Sequence, residues 1–252
     1  MINIILSGCN GKMGHVISRL AEADENVKIV AGFDLNTVQT FDYEIFKNPA
    51  EYAGTADVII DFSHPAALDG LLHFALDRKI PAVVATTGLS AEQIEQLHEV
   101  SRQVPIFFSA NMSLGINLLI DLVKRATKLL EDSFDIEIIE KHHNQKIDAP
   151  SGTALAIADG INEALSQPYQ YVYDRHSVRK KRDKKEIGIH AVRGGTIVGD
   201  HEVIFAGTDE IVTISHTATS KEIFAQGSIK AAKFLAGKEP GMYDMNSLLA
   251  SL

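Results

Sequence analysis

Five short β-branched runs in the first 111 residues constrain the fold more than any other feature of the chain. They read "INIILS", "VKIVAGFD", "ADVIIDFS", "PAVVATT" and "PIFFSAN", and Gly, Pro, Ser or Asn bounds each, as expected of strands. Helical segments open near Lys12, Pro65 and Ser90, and Ser90 is followed three positions later by Gln93, the spacing of a capping box. Strand–helix–strand repetition implies parallel pairing with right-handed crossovers, hence a doubly wound α/β sheet. The runs are almost continuously apolar, which suits a sheet covered on both faces.

After Asn111 the rhythm changes. A helix is expected from Ser113 to Glu131, with apolar positions at Leu114, Leu118, Leu119, Leu122 and Val123. "FDIEIIEKHH" then alternates Ile136 and Ile138 with Glu137, which reads as an antiparallel-type strand, and the helix "TALAIADGINEAL" follows. "KKEIGIHAVRGGTIVGDHEVIFAGTDEIVTISHTATS" adds three or four strands separated by Gly-Gly, Gly-Asp and Gly-Thr-Asp turns. A last helix opens near Lys221. The expected organisation is an N-terminal α/β domain (residues 1–111), a central α+β domain (112–220) and a C-terminal helix (221–252).

Bulk properties exclude several classes of function. A length of 252 residues fits one large domain or two modest ones. The net charge of −9 argues against general nucleic-acid binding, which needs a basic face. No apolar run reaches the roughly 18 residues of a membrane span. "MINIILSG" lacks the basic region and cleavage site of a signal peptide and reads as a first strand. The single cysteine, Cys9, excludes an intramolecular disulfide and fits a reducing cytoplasm. The basic run Arg175–Glu186, "RHSVRKKRDKKE", reads as a solvated, mobile loop, with a charge lure for an anionic ligand as the alternative.

Two constellations carry chemistry. In "GCNGKMG", Gly8, Gly11 and Gly14 follow the first strand and open a helix, where backbone can approach a pyrophosphate and the helix N-terminus supplies N–H donors. Asp34 ends the second strand 20 residues after Gly14, where a carboxylate accepts from ribose hydroxyls. Together they point to a dinucleotide site, with Lys12 available to a phosphate. The loops "DFSHP" and "ATTG" lie at carboxyl ends of parallel strands, and Phe62, Thr86 and Thr87 are candidates for lining the same site.

The second constellation is "EKHHNQKIDAPSGTA", Glu140–Ala154. The amides of Gly152 and Thr153 fall in the first turn of a helix and make an anion seat, while Ser151 or Asp148 can cap that turn. Strand alternation sends His142 and His143 to opposite faces while the strand lasts. One of them can reach a substrate while the other packs or positions, and a histidine together with Lys146 suits acid catalysis. Metal binding is the rival reading, since His190, His201 and His216 are also present, but no His-x-x-x-His spacing supports it.

These strings, with "SANMSLGIN", "RGGTIVGDHEVIFAG" and "FAQGSIKAAKFLAGKEPGMYDM", resemble the 4-hydroxy-tetrahydrodipicolinate reductases (dihydrodipicolinate reductases) of bacterial lysine biosynthesis over almost the whole chain. The resemblance implies an N-terminal Rossmann-like doubly wound domain and a central α+β domain whose mixed sheet builds a homotetramer. It also implies a C-terminal helix that rejoins the first domain. By motif position His142 is the catalytic histidine and Lys146 the catalytic lysine. His143, Gly152 and Thr153 become contacts to a dicarboxylate substrate. Gly8, Cys9, Asn10, Gly11, Lys12, Met13, Asp34, Ala85, Thr86, Thr87, Ser109, Ala110, Asn111 and Met112 become contacts to NADH or NADPH. Leu35 follows Asp34 where many relatives place an arginine for the 2′-phosphate, so NADH is expected to serve at least as well as NADPH. Ala85 replaces a glycine common in the family. A different oxidoreductase on this scaffold, such as an aspartate dehydrogenase, would share the glycine loop but need not share "HHNQKIDAPSGT". A non-enzymatic dinucleotide sensor is the rival from another class.

Overall fold

The structure, a computed structural model, describes residues 1–251. In chain order the strands are β1 (Ile2–Ser7), β2 (Val27–Phe33), β3 (Glu44–Phe46), β4 (Val58–Asp61), β5 (Ala82–Val84), β6 (Pro105–Phe108), β7 (Asp135–His142), β8 (Gln170–Val172), β9 (Glu186–Arg193), β10 (Gly199–Ala206), β11 (Ile211–Ala218) and β12 (Gly241–Tyr243). The α-helices are α1 (Lys12–Glu22), α2 (Leu68–Arg78), α3 (Ala91–Ser101), α4 (Leu114–Leu130), α5 (Gly152–Ala164), α6 (Glu222–Leu235) and α7 (Met245–Leu249). They form two compact units, Met1–Leu114 with Glu222–Leu252, and Gly115–Lys221.

The first unit holds a seven-stranded sheet of order β12-β6-β5-β4-β1-β2-β3, parallel throughout. From β1 the chain winds outward to β2 and β3, then restarts on the other side at β4. That reversal between β1 and β4 is a topological switch point, where open α/β sheets bind ligands at the strands' carboxyl ends. The expected doubly wound sheet is therefore present. Its faces support two apolar clusters, one around Ile4, Leu6 and Ile60 with α1 and α6, the other around Ile5, Ile59 and Val84 with α2 and α3. The short strands β3 and β12 escape a periodicity reading because three residues carry too little pattern. Ser90 and Gln93 make the expected capping box, whereas Pro65 opens a 3₁₀ turn and α2 begins only at Leu68.

The second unit carries a five-stranded sheet of order β11-β10-β7-β9-β8. Here β7 is antiparallel to β10 but parallel to β9, so the antiparallel expectation holds on one side only. Burial alternates along β7, with Ile136, Ile138, Glu140 and His142 facing inward. Ile136 and Ile138 meet Val203, Phe205, Ile187 and Ile189 in a core closed by Leu119 and Val123 of α4 and Ala154, Ile157 and Ile161 of α5. Leu118 and Leu122 remain substantially exposed, so the buried stripe of α4 runs through Ile116, Leu119, Val123 and Thr127 instead. Gly199-Asp200 does not form a turn; it starts β10.

The basic run is less loose than its composition suggests. Arg182 donates to Glu137 at 2.9 Å and Asp135 at 3.0 Å, and Arg175 pairs with Glu137 and Glu186. Those arginines are tied down by carboxylates of β7 and β9.

Candidate active site

Each glycine of the first loop answers a distinct local demand. Gly8 has φ +77°, and a Cβ there would lie 2.6 Å from the carbonyl oxygen of Phe62. Gly14 packs the first turn of α1 onto the loop, since a Cβ would meet the carbonyl oxygens of Gly8 and Cys9 at 2.4 Å. Gly11 is the N-cap of α1 and offers no side-chain cap, and no acidic residue occupies the first turn. The helix thus begins with uncapped N–H donors and an uncompensated dipole, which fits a pyrophosphate.

Asp34 lies beside this loop. Its Oδ2 accepts from the Asn10 amide at 2.9 Å and its Oδ1 from the Asn36 amide at 3.0 Å. Asn10 in turn donates its side-chain amide to the Asn36 carbonyl at 2.6 Å. The glycine loop and the Asp34 carboxylate are therefore one hydrogen-bonded unit. Lys12 and Leu35 are exposed. The Cys9 thiol is fully buried and pushed up to about 12 by burial and by Asp34, so it offers a ligand only its backbone.

Other predicted contacts separate by role. Thr86 is buried and donates its hydroxyl to Asp61 at 2.6 Å, stitching the ends of β4 and β5, while Thr87 is exposed. Ala85 is buried. Ser109 accepts from the Asn111 amide at 3.3 Å and donates to the Asn111 carbonyl at 2.8 Å, a tight turn after β6. Ala110 is exposed at that turn, and Met112 is buried in the sheet's core. These residues lie at carboxyl ends of adjacent strands, where the glycine loop also sits.

In the second unit the inward face of β7 turns from apolar to ionic at its last two inward positions. Glu140 has no exposed surface and is saturated with donors. Its Oε2 accepts from His142 Nδ1 at 2.7 Å and an Arg193 guanidinium nitrogen at 2.7 Å. Its Oε1 accepts from the other Arg193 nitrogen at 2.7 Å and the Ser151 amide at 3.0 Å. Burial pushes this carboxyl up, but the bonds from Arg193, His142 and the Ser151 amide outweigh it and hold it below the usual carboxylate range. Arg193 also donates to the Asp148 carbonyl at 2.7 Å. Room for the imidazole comes from Gly199, where a Cβ would approach His142 Nε2 to 3.0 Å.

Ser151 caps α5, accepting from the Ala154 amide at 3.1 Å, and its hydroxyl lies 3.2 Å from His201 Nε2. The rings of His142 and His201 meet edge-on with centroids 5.2 Å apart. Burial, with the neighbouring His142, pulls His201 down to about 4, so it stays neutral at physiological pH. Lys146 donates to Asp148 Oδ1 at 2.8 Å. That carboxyl is held below its usual range first by Lys146, with the Gly152 amide contributing. The anion seat and the lysine already converge on one carboxylate. Gly152 is exposed, and Thr153 and His143 are partly so; β7 ends at His142, leaving His143 just past the strand.

Sequence reasoning named His142, Lys146 and the helix start, and considered Ser151 and Asp148 only as caps. It passed over Glu140 and Arg193. Glu140 had a signal, since period-two alternation from Ile136 and Ile138 puts it on the face of His142; Arg193 had none. Among the described residues, no group of three His, Cys, Asp or Glu side chains is arranged to hold a metal ion. Nor is any helix among them long and apolar enough to cross a membrane.

Comparison with known proteins agrees with both halves. Residues 2–112 match the family model described as dihydrodipicolinate reductase, N-terminus, and residues 115–249 the model for its C-terminus. The 4-hydroxy-tetrahydrodipicolinate reductase of Caldanaerobacter subterraneus subsp. tengcongensis is 55% identical over 249 residues, covering 99% of this chain and 98% of the relative. That of Clostridium novyi is 49% identical over 251 residues, covering 100% and 99%. Among solved structures, dipicolinate-bound dihydrodipicolinate reductase from Paenisporosarcina sp. TG-14 superposes with a TM-score of 0.82 at 24% identity, covering 98% of this chain and 99% of that one. Aspartate dehydrogenase from Thermotoga maritima shares the scaffold at a TM-score of 0.51 and 10% identity, covering 95% and 98%. With family models matching both halves and relatives near half identical from end to end, the chain belongs to the dihydrodipicolinate reductase family.

Proposed function

We propose that this chain reduces 4-hydroxy-tetrahydrodipicolinate to tetrahydrodipicolinate, a step of lysine and diaminopimelate biosynthesis in the cytoplasm. The observation that carries this reading is the match to this family over both halves of the chain, and the Lys146–Asp148 pair just before α5 fits it. Substrate, reduced dinucleotide and one proton give product, oxidised dinucleotide and water. A dinucleotide held by Gly8–Met13, Asp34, Ala85–Thr87 and Ser109–Met112 supplies the hydride. Gly152, Thr153 and His143 hold the carboxylates. As hydride arrives on one ring carbon, negative charge develops toward the conjugated nitrogen and the neighbouring carbon. Lys146 and His142 are the acids available to quench it, and such help is typically worth about 10²–10⁴-fold.

The same reading favours NADH at least as much as NADPH. Asp34 would repel a 2′-phosphate, Leu35 offers it no cation, and only exposed Lys12 is at hand on the glycine loop. A homotetramer is supported by the outer face of the second sheet. Ile139, Glu202 and Ile204 point away from the helix-covered core, Val192 and Ile211 are substantially exposed, and β11 leaves an open edge.

The test follows NADH and NADPH absorbance in parallel, with substrate generated in place from pyruvate and aspartate semialdehyde by the preceding synthase. Synthase-dependent oxidation is expected, at least as fast with NADH. No oxidation of either dinucleotide by folded protein would overturn the assignment, and elution as a monomer on gel filtration would overturn the tetramer.

A further inference from the structure

Glu140 reaches no solvent, yet three elements of the second unit's site meet at its carboxylate: His142 at the end of β7, Arg193 at the end of β9 and Ser151 at the start of α5. A carboxylate has about four lone-pair positions, and here four donors fill them: His142 Nδ1, two Arg193 nitrogens and the Ser151 amide. An ionised carboxylate carries no proton, so Nδ1 must carry the hydrogen of the His142 contact. The other ring nitrogen, Nε2, is left to bind or release a proton. It lies beside Gly199, where no side chain intrudes. Arg193 extends the connection, since it also donates to the Asp148 carbonyl, two residues beyond Lys146.

We propose that Glu140 is the positioning residue of this active site, fixing His142 as the Nδ1–H tautomer and holding, through Arg193, the turn that carries Lys146. This rests on the assignment of His142 and Lys146 to catalysis. The arrangement lets His142 alternate between imidazolium and neutral ring at Nε2 without rotating, because its Nδ1–H bond to Glu140 persists in both states.

Replacing the carboxylate by an amide separates the proposal from simple packing. In Glu140→Gln the amide NH₂ must face either Arg193 and the Ser151 amide or Arg193 and His142. The guanidinium and the backbone amide cannot become acceptors; the imidazole can, by moving its proton to Nε2. The variant should therefore hold His142 as the Nε2–H tautomer and bar the imidazolium.

The experiment records ring-nitrogen NMR of ¹⁵N-histidine-labelled protein with the ring neutral, the His142 signals assigned by their loss in His142→Gln. The Nδ1–H tautomer is expected in the unsubstituted protein, a measurement that requires no variant to fold. Glu140→Gln should switch the tautomer and lower kcat about 10²-fold, the lower end for a lost general acid, with KM for NADH unchanged. Arg193→Lys should keep the tautomer and raise KM for the dicarboxylate about 10-fold, as expected for a lost charge-assisted bond. An Nε2–H tautomer in the unsubstituted protein, or an undiminished kcat in Glu140→Gln beside an impaired His142→Gln, overturns the positioning role. An unchanged KM in Arg193→Lys overturns the part assigned to the arginine. Undiminished kcat in His142→Gln itself overturns the underlying site assignment.

Discussion

Gly8→Ala tests the dinucleotide loop with a magnitude that the structure supplies. Two costs add. Alanine at φ +77° pays the left-handed penalty of about 1–2 kcal/mol. Its Cβ would then lie 2.6 Å from the Phe62 carbonyl oxygen and 2.8 Å from the carbon, both backbone atoms of the loop after β4. Forcing such atoms apart costs about 1–3 kcal/mol more. Gly88 separates the two effects, because it shares φ +77° but nothing lies within 4 Å of its Cβ position. Gly88→Ala should therefore lose only about 1–2 kcal/mol, while Gly8→Ala should lose about 2–5 kcal/mol. In a chain of this size each kcal/mol shifts Tm by about 2–4 °C, so calorimetry resolves the difference. A second readout is protection by NADH, worth about 2.7 kcal/mol at one hundred times its Kd. Gly8→Ala should lose that protection. Equal Tm values for the two variants, or full protection in Gly8→Ala, would refute the close-approach reasoning.

His201 has a depressed pKa in the folded state, near 4 against 6.5, so only the unfolded chain binds its proton between those values. Stability from this group is complete above pH 6.5 and falls as pH drops to about 4, by about 3 kcal/mol at most; Tm measured across that window should flatten in His201→Gln. The Lys146–Asp148 pair is partly solvated, with side chains 22% and 56% exposed, so its rupture costs no more than about 1 kcal/mol. Asp148→Asn should then lower KM for the dicarboxylate by up to about 5-fold, and a raised KM would mean that Asp148 assists substrate rather than competing with it. Leu35→Arg should raise kcat/KM for NADPH about 10-fold relative to NADH, the gain of one charge-assisted phosphate contact; an unchanged ratio would place the 2′ position elsewhere.

Much of this protein was legible without coordinates because the signals are local. "INIILSGCNGKMG" joins a β-branched run to glycines and a helix start, and a strand, a positive φ and an N-terminus depend only on neighbouring residues. Ser90 with Gln93 spells its own cap. In β7 a period of two places Ile136, Ile138, Glu140 and His142 on one face, so the inward position of Glu140 was available to counting.

What counting could not supply is who stands opposite. Alternation gives a residue its face but not its neighbour, and Arg193 reaches Glu140 across 53 residues because β9 pairs parallel with β7. His201 stands opposite Glu140 in the antiparallel register of β10 on β7, and so meets Ser151, whose amide Glu140 holds, across 50 residues. The tertiary structure also decided that α6 packs on α1 and β4, and that three-residue strands close the edges of the first sheet. Sequence by itself determined the glycine loop and the starts of α1, α3 and α5. Only long-range strand pairing, which local residue preferences do not encode, turned Glu140 from one more buried position into the carboxylate that His142, Arg193 and Ser151 share.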